Sequence, residues 1–187
     1  MALVFLWLAG PSGLADQRNH SADPHELIVV IESGDNHVSI IDGERFERIH
    51  RFASRPALQG APGFSPDGRY AYFASGDGWV SKFDLWKLEL VAETRAGIRT
   101  NGLAVSGDGK FVAVANAEPH TLVLLDADLG LLKSHAAVDR NGSQTSAVTA
   151  VHTASRRQSF VAALRDVKEI WELSYDPQAP EIAVGVV

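Results

Sequence analysis

Three segments of this chain close alike: Val38-Ser-Ile-Ile-Asp42, Val80-Ser-Lys-Phe-Asp84 and Leu122-Val-Leu-Leu-Asp126. The closing aspartates stand 42 residues apart, twice in succession. A second marker keeps the same phase, in Phe64-Ser-Pro-Asp-Gly-Arg-Tyr70 and Val105-Ser-Gly-Asp-Gly-Lys-Phe111, with Asp-Gly pairs 41 apart. A looser fourth copy runs from Val148 to Asp176 and holds Ile170-Trp-Glu-Leu-Ser-Tyr175. A fixed period of this size is the mark of a repeat architecture, because each unit must bury its apolar face against its neighbours.

Each copy has one internal grammar. An apolar strand leads into Ser-x-Asp-Gly, and Asp-Gly between apolar runs favours a hairpin because the glycine accepts positive φ. An apolar run follows (Tyr70–Ala74, Phe111–Ala115, Phe160–Leu164), apolar at consecutive positions as in a strand covered on both faces. After a Gly-, Asn- or Pro-containing turn comes the strand ending in Asp. An amphipathic stretch then supplies a fourth strand, as in Leu88-Glu-Leu-Val-Ala-Glu93 and Leu131-Leu-Lys-Ser-His135. Four short strands per unit predict an all-β, partial β-propeller of about four four-stranded blades, near 26–58, 59–100, 101–142 and 143–187. No long helical pattern intervenes, which excludes a ladder of βαβ units.

The first 25 residues differ. Met1-Ala-Leu-Val-Phe-Leu-Trp-Leu-Ala9 is apolar, ends in small residues before Asp16, and is too short to span a bilayer. It reads as a signal-like segment lacking a basic start, followed by a polar lead-in, and this points to the periplasm. The opposite end, Ile182-Ala-Val-Gly-Val-Val187, has the look of a strand interrupted, so a truncated chain is expected. Unclosed blades would leave an apolar face and strand edges open to a complementary propeller chain.

Composition excludes several functions. The 187 residues carry 17 Lys and Arg against 23 Asp and Glu, a net charge of −6, so nothing resembles a nucleic-acid footprint. An acidic chain holds an anionic ligand only through locally placed arginines. With no cysteine there is no disulfide, thiolate metal site, Cys nucleophile or covalent c-type haem. There is no P-loop, dinucleotide fingerprint or nucleophile elbow, so Ser65, Ser106, Asp67, Asp77 and Asp108 read as turn residues. His37, His50, His120, His135 and His152 never recur at a ligand spacing and read as structural or surface residues. Trp79, Trp86 and Trp171 read as packing between blades.

The run from Phe64 through Asp77-Gly-Trp79, Lys82-Phe-Asp-Leu-Trp86, Leu90-Val-Ala-Glu-Thr-Arg-Ala-Gly97, Pro119-His-Thr-Leu-Val-Leu-Leu-Asp126, Arg157–Asp166 and Glu169–Asp176 resembles the haem d1-binding propeller family. That family comprises cytochrome cd1-type nitrite reductases and haem d1 biosynthesis proteins, and the match is nearest its dihydro-haem d1-dehydrogenating branch. It covers about Leu27 to Pro180. The resemblance implies an eight-bladed ring of which this chain is the N-terminal half, with haem d1 as family cofactor and denitrification as context.

The resemblance also implies site positions. The loop before Phe-Ser-x-Asp-Gly carries the family's axial His, and here it holds Gln59, a poor iron ligand. Arginines expected near Ser33, Asn101 and Gln144 are replaced, and Ala117 stands where a Tyr is expected. Arg55 and Asn116 remain as cofactor-binding positions. Haem d1 carboxylates ask for cationic, bidentate partners, so several contacts of about 1.5–3 kcal/mol each are missing. The expectation is a haem d1-propeller relative with a weakened ligand site, without catalytic or metal-ligating residues of its own. Full-length relatives are oxidoreductases. The alternatives are a cofactor-free scaffold for protein–protein interaction and an inactive gene fragment. Expected partners are haem d1 or a complementary propeller chain, with no nucleic acid and no membrane span.

Overall fold

The computed structural model describes residues 26–176, 178 and 181–186. The signal-like segment over 1–25 lies outside the described residues.

Fifteen strands form four antiparallel sheets among these residues. The first sheet joins β1 (Leu27–Glu32), β2 (His37–Asp42) and β3 (Glu47–Ala53). The second runs β4 (Leu58–Phe64), β5 (Tyr70–Ser75), β6 (Trp79–Asp84) and β7 (Glu89–Arg95). The third is β8 (Arg99–Val105), β9 (Phe111–Glu118), β10 (Thr121–Asp126) and β11 (Leu131–Ala136). The fourth is β12 (Val148–Ala154), β13 (Ser159–Leu164), β14 (Glu169–Ser174) and β15 (Ile182–Val186). Each is a meander with sequential neighbours paired, and together they make a partial β-propeller. One 3₁₀ turn, Ser155–Arg157, links β12 to β13.

The first sheet departs from the four-strand expectation. β1, β2 and β3 correspond in motif and register to β5, β6 and β7, so no described strand stands where β4, β8 and β12 stand in the others.

The two sequence markers have a common physical cause. In the second sheet, Ser65 Oγ donates to Asp67 Oδ1 (2.5 Å) and accepts the Tyr70 amide (2.8 Å), while Asp67 Oδ1 accepts the Arg69 amide (3.1 Å). The third sheet repeats the box: Ser106 to Asp108 at 2.6 Å, Phe111 amide to Ser106 at 3.0 Å, Lys110 amide to Asp108 at 3.2 Å. Gly68 and Gly109 take φ of 69° and 73° inside these boxes, a region that penalises a Cβ. The repeated aspartates cap the next turn. Oδ1 of Asp42, Asp84 and Asp126 accepts amides of Glu44 and Arg45, Trp86 and Lys87, and Asp128 and Gly130, respectively. These are Asx turns, which hold the hairpin corner without help from neighbouring sheets.

Sheets are joined by three separate apolar layers. Val38, Ile40, Ala71, Phe73 and Phe83 fill the first, where Phe52 and Phe83 stack with centroids 4.1 Å apart and planes 6° from parallel. Tyr72, Val80, Val112, Val114 and Leu125 fill the second. Ala113, Leu122, Phe160, Trp171 and Leu173 fill the third. The middle strands β5 and β9 therefore bury both faces, as their unbroken apolar runs require.

Candidate ligand face

In an antiparallel meander alternate connections emerge at the same end. The turns β1–β2, β3–β4, β5–β6, β7–β8, β9–β10, β11–β12 and β13–β14 thus share one end of the sheets. Ser33, Arg55, Gln59, Asn101, Asn116, Ala117 and Gln144 all lie on these turns or the strand ends beside them. The residues singled out from the sequence therefore gather on one face.

Below this face runs a groove of about 480 Å³, lined by stretches of β4, β8 and β12. Each of these strands breaks register with its neighbour near the same end: between Gln59 and Gly63, around Thr100 and Gly102, and between Val148 and Ala150. Such bulges release backbone groups from the ladder and re-aim side chains. The released residues Ala61, Asn101 and Thr149 line the groove, with small neighbours such as Gly60, Gly102 and Ala150. Asn101 Nδ2 donates to the Val148 carbonyl at 2.7 Å and ties β8 to β12 across it.

Three expected binding residues are engaged within the protein. Arg55 donates to Glu93 through Nε (3.1 Å) and Nη2 (2.9 Å), and its guanidinium lies 4.1 Å from the Trp79 ring centroid. Glu93 also accepts from Ser81 Oγ at 2.7 Å, and its carboxyl is held below the usual range, first by Arg55. The same Arg–Glu–Ser tie recurs as Arg51–Glu32–Ser39 and Arg157–Glu172–Ser159. Gln59 donates from Nε2 to the Ala57 carbonyl at 3.0 Å. Asn116 is fully buried, and its Nδ2 donates to the Ala96 carbonyl (2.8 Å) and Thr121 Oγ1 (3.0 Å). Its Oδ1 has no partner among the described residues and sits against Gly97, where a Cβ would come within 2.7 Å. Asn116 thus faces the Ala96–Gly97 turn.

Nearby polar groups are also paired. Gln144 Nε2 donates to the Asp166 carbonyl (3.0 Å), Arg165 grips Asp166 (2.8 Å), and Arg99 pairs with Glu118 (3.3 Å). His120 Nδ1 lies 3.1 Å from Thr145 Oγ1 on the same face. A shallower depression of about 530 Å³, lined by Asp139, Arg140, Asp166, Lys168 and Glu169 among others, mixes charges of both signs. Among the described residues no cluster of three or more His, Asp or Glu could hold a metal ion. The tryptophans divide: Trp171 is buried in the third apolar layer and Trp79 lies under Arg55, but Trp86 is 56% exposed. Trp86 therefore corrects the packing expectation, because it sits in a turn, mostly in solvent, with the Arg69 guanidinium 5.3 Å over its ring.

Four meander sheets set side by side in chain order, with a bulged wall along β4, β8 and β12, define a sector of a β-propeller. The chain belongs to the family described as the cytochrome D1 heme domain, whose model matches residues 22–184. It is 56% identical to dihydro-heme d1 dehydrogenase of Pseudomonas aeruginosa over 172 residues, 90% of this chain and 35% of that protein. It is 33% identical to Protein NirF of the same organism, over 78% of this chain and 38% of that one. The solved structure of dihydro-heme d1 dehydrogenase NirN in complex with DHE superposes with a TM-score of 0.85, covering 89% of this chain and 36% of that chain. Hydrazine synthase of Kuenenia stuttgartiensis, at 16% identity and a TM-score of 0.70, shares the fold. The chain spans between a third and two fifths of the curated relatives' length.

Haem d1, the group this family implies, makes demands that the described residues do not fully meet. Gln59 offers an amide already bonded to its own turn, and the guanidinium of Arg55 is paired with Glu93.

No helix among the described residues is long and apolar enough to cross a membrane.

Proposed function

We propose that this chain is a sector of a haem d1-handling propeller, acting in the periplasm in haem d1 binding or maturation for denitrifying nitrite reduction. The observation that carries this reading is the family match over 22–184, laid on a groove walled by three bulged inner strands. In this reading the sector contributes shape and backbone hydrogen bonds to one flank of the ligand. The axial position at Gln59 and the cationic position at Arg55 are weakened, so other parts of the binding protein must supply the strongest contacts. The test is a titration of the purified chain with haem d1, followed by absorbance and by quenching of Trp79. Binding in the range of tens of micromolar or weaker, about 6 kcal/mol, is expected. No response up to millimolar haem d1 would sink this reading.

One observation favours a second reading, a cofactor-free scaffold for a complementary propeller chain. Three Arg–Glu–Ser ties favour a recurring structural role for Arg55 over a ligand-specific one. A complex formed with a relative's remaining blades in the absence of haem d1 would support it.

A further inference from the structure

The outer seam between the third and fourth sheets holds an imidazole that the ligand face does not use. His135 lies on β11, opposite Leu122 of the third apolar layer, and its side chain is only 7% exposed. Its Nε2 is buried without a hydrogen-bond partner among the described residues. The nearest carboxylate, Glu181 Oε1, lies 3.7 Å away, beyond hydrogen-bond reach. Glu181 leads into β15, and its carbonyl accepts the Ser174 amide at 2.9 Å. Its carboxylate is already gripped by Lys133 of β11, with Nζ at 2.5 and 2.6 Å from the two oxygens. Glu181 and Lys133 are the charged groups that act on His135 from the two elements packed around it.

We propose that His135 makes this seam acid-sensitive: the neutral ring packs between β11 and the strand-β15 segment, and protonating it loosens their contact. A buried imidazolium loses water and regains little here, because the carboxylate that faces it, Glu181, is shared with the Lys133 ammonium. Burial is the leading influence that lowers the His135 pKa; Glu181 opposes it and Lys133 adds to it. The sign follows. The unfolded chain takes up its proton near pH 6.5 while the folded chain resists, so stability is lost as pH falls below about 6.5. Glu181 comes from the connection at the far end of the sheets, while His135 stands one residue before the end of β11 that leads into the ligand-face turn, so this joint bears on how firmly the fourth sheet is held.

Thermal melts of the whole chain at pH 7.5, 6.5 and 5.5 test this, for wild type, His135→Gln and Glu181→Gln. Wild type should lose about 2–4 °C more than His135→Gln between pH 7.5 and 5.5, and Glu181→Gln should lose more than wild type. Equal slopes for wild type and His135→Gln would overturn the proposal. Because a core substitution can weaken folding at every pH, an NMR titration of the His135 ring in the wild-type chain decides independently. A midpoint below 6.5 supports the proposal, and a midpoint at or above 6.5 overturns it. Amide exchange over Ile182–Val186 should quicken at pH 5.5 in wild type; if it does not, the seam is not the element that loosens.

Discussion

Arg55 grips Glu93 with two nitrogens, Nε to Oε1 at 3.1 Å and Nη2 to Oε2 at 2.9 Å. The pair links the β3–β4 turn to the outer strand β7, so the arginine closest to a ligand role is also a brace between the first two sheets. Arg55→Gln should lower the melting temperature by only about 1–3 °C, since the pair is partly solvated. Its effect on haem d1 affinity should stay within about twofold, because a neutralised guanidinium gives an anionic ligand little. Glu93→Gln should act oppositely on affinity by releasing the cation. Parallel absorbance titrations and melts of the two variants check both statements.

Phe83 is buried to 1% and stacks on Phe52 at 4.1 Å. Phe83→Ala removes the stacking and leaves a cavity in the first apolar layer, and should cost about 3–5 kcal/mol in urea unfolding. Trp86→Ala, by contrast, should cost less than about 1 kcal/mol, since the ring is mostly in solvent.

Asp84 shapes the acid limb. Burial works to raise its carboxyl pKa, but Arg69 and the Lys87 and Trp86 amides overcome it and hold the group below the ordinary value. The folded state therefore binds the proton less readily than the unfolded state. Its contribution is present above about pH 4 and is lost as pH falls through the lowered folded value. Asp84→Asn should cost about 1–3 kcal/mol at pH 7 and flatten the loss of stability below about pH 4, read from urea melts in acid.

Gly78 has φ of 90°, and a Cβ there would lie 2.2 Å from the Gly97 carbonyl oxygen. That carbonyl belongs to the turn carrying the Asn116 contact. Gly78→Ala should cost about 2 kcal/mol or more and disturb the ligand face, visible as faster exchange of the Ala96 amide that Gly78 holds at 2.9 Å.

Much of the fold was legible because its determinants are local. Asp42, Asp84 and Asp126 mark the period since each caps its own turn within a few residues, and Ser65 and Ser106 build their boxes the same way. That the first sheet has three strands among the described residues was not legible, because pairing of an edge strand is a long-range event with no local marker. Gln59, Asn101 and Asn116 gather at one end through the observed strand order, and their engagement was not legible in the sequence. Glu93 lies 38 residues beyond Arg55, and nothing in either segment announces the tie. The three-fold Arg–Glu–Ser pattern could have been sought as a repeat, but its members occupy different strand positions in each sheet, so spacing alone hides it.

The apolar interior is divided into three layers, each shared by only two adjacent sheets. Mechanical and thermal load is therefore passed from neighbour to neighbour, as along links of a chain, with no common hub to bear it. A defect confined to the layer around Phe160 and Trp171 would release the last sheet while the stack ahead of it stayed folded. Unfolding should accordingly fray from an end in steps.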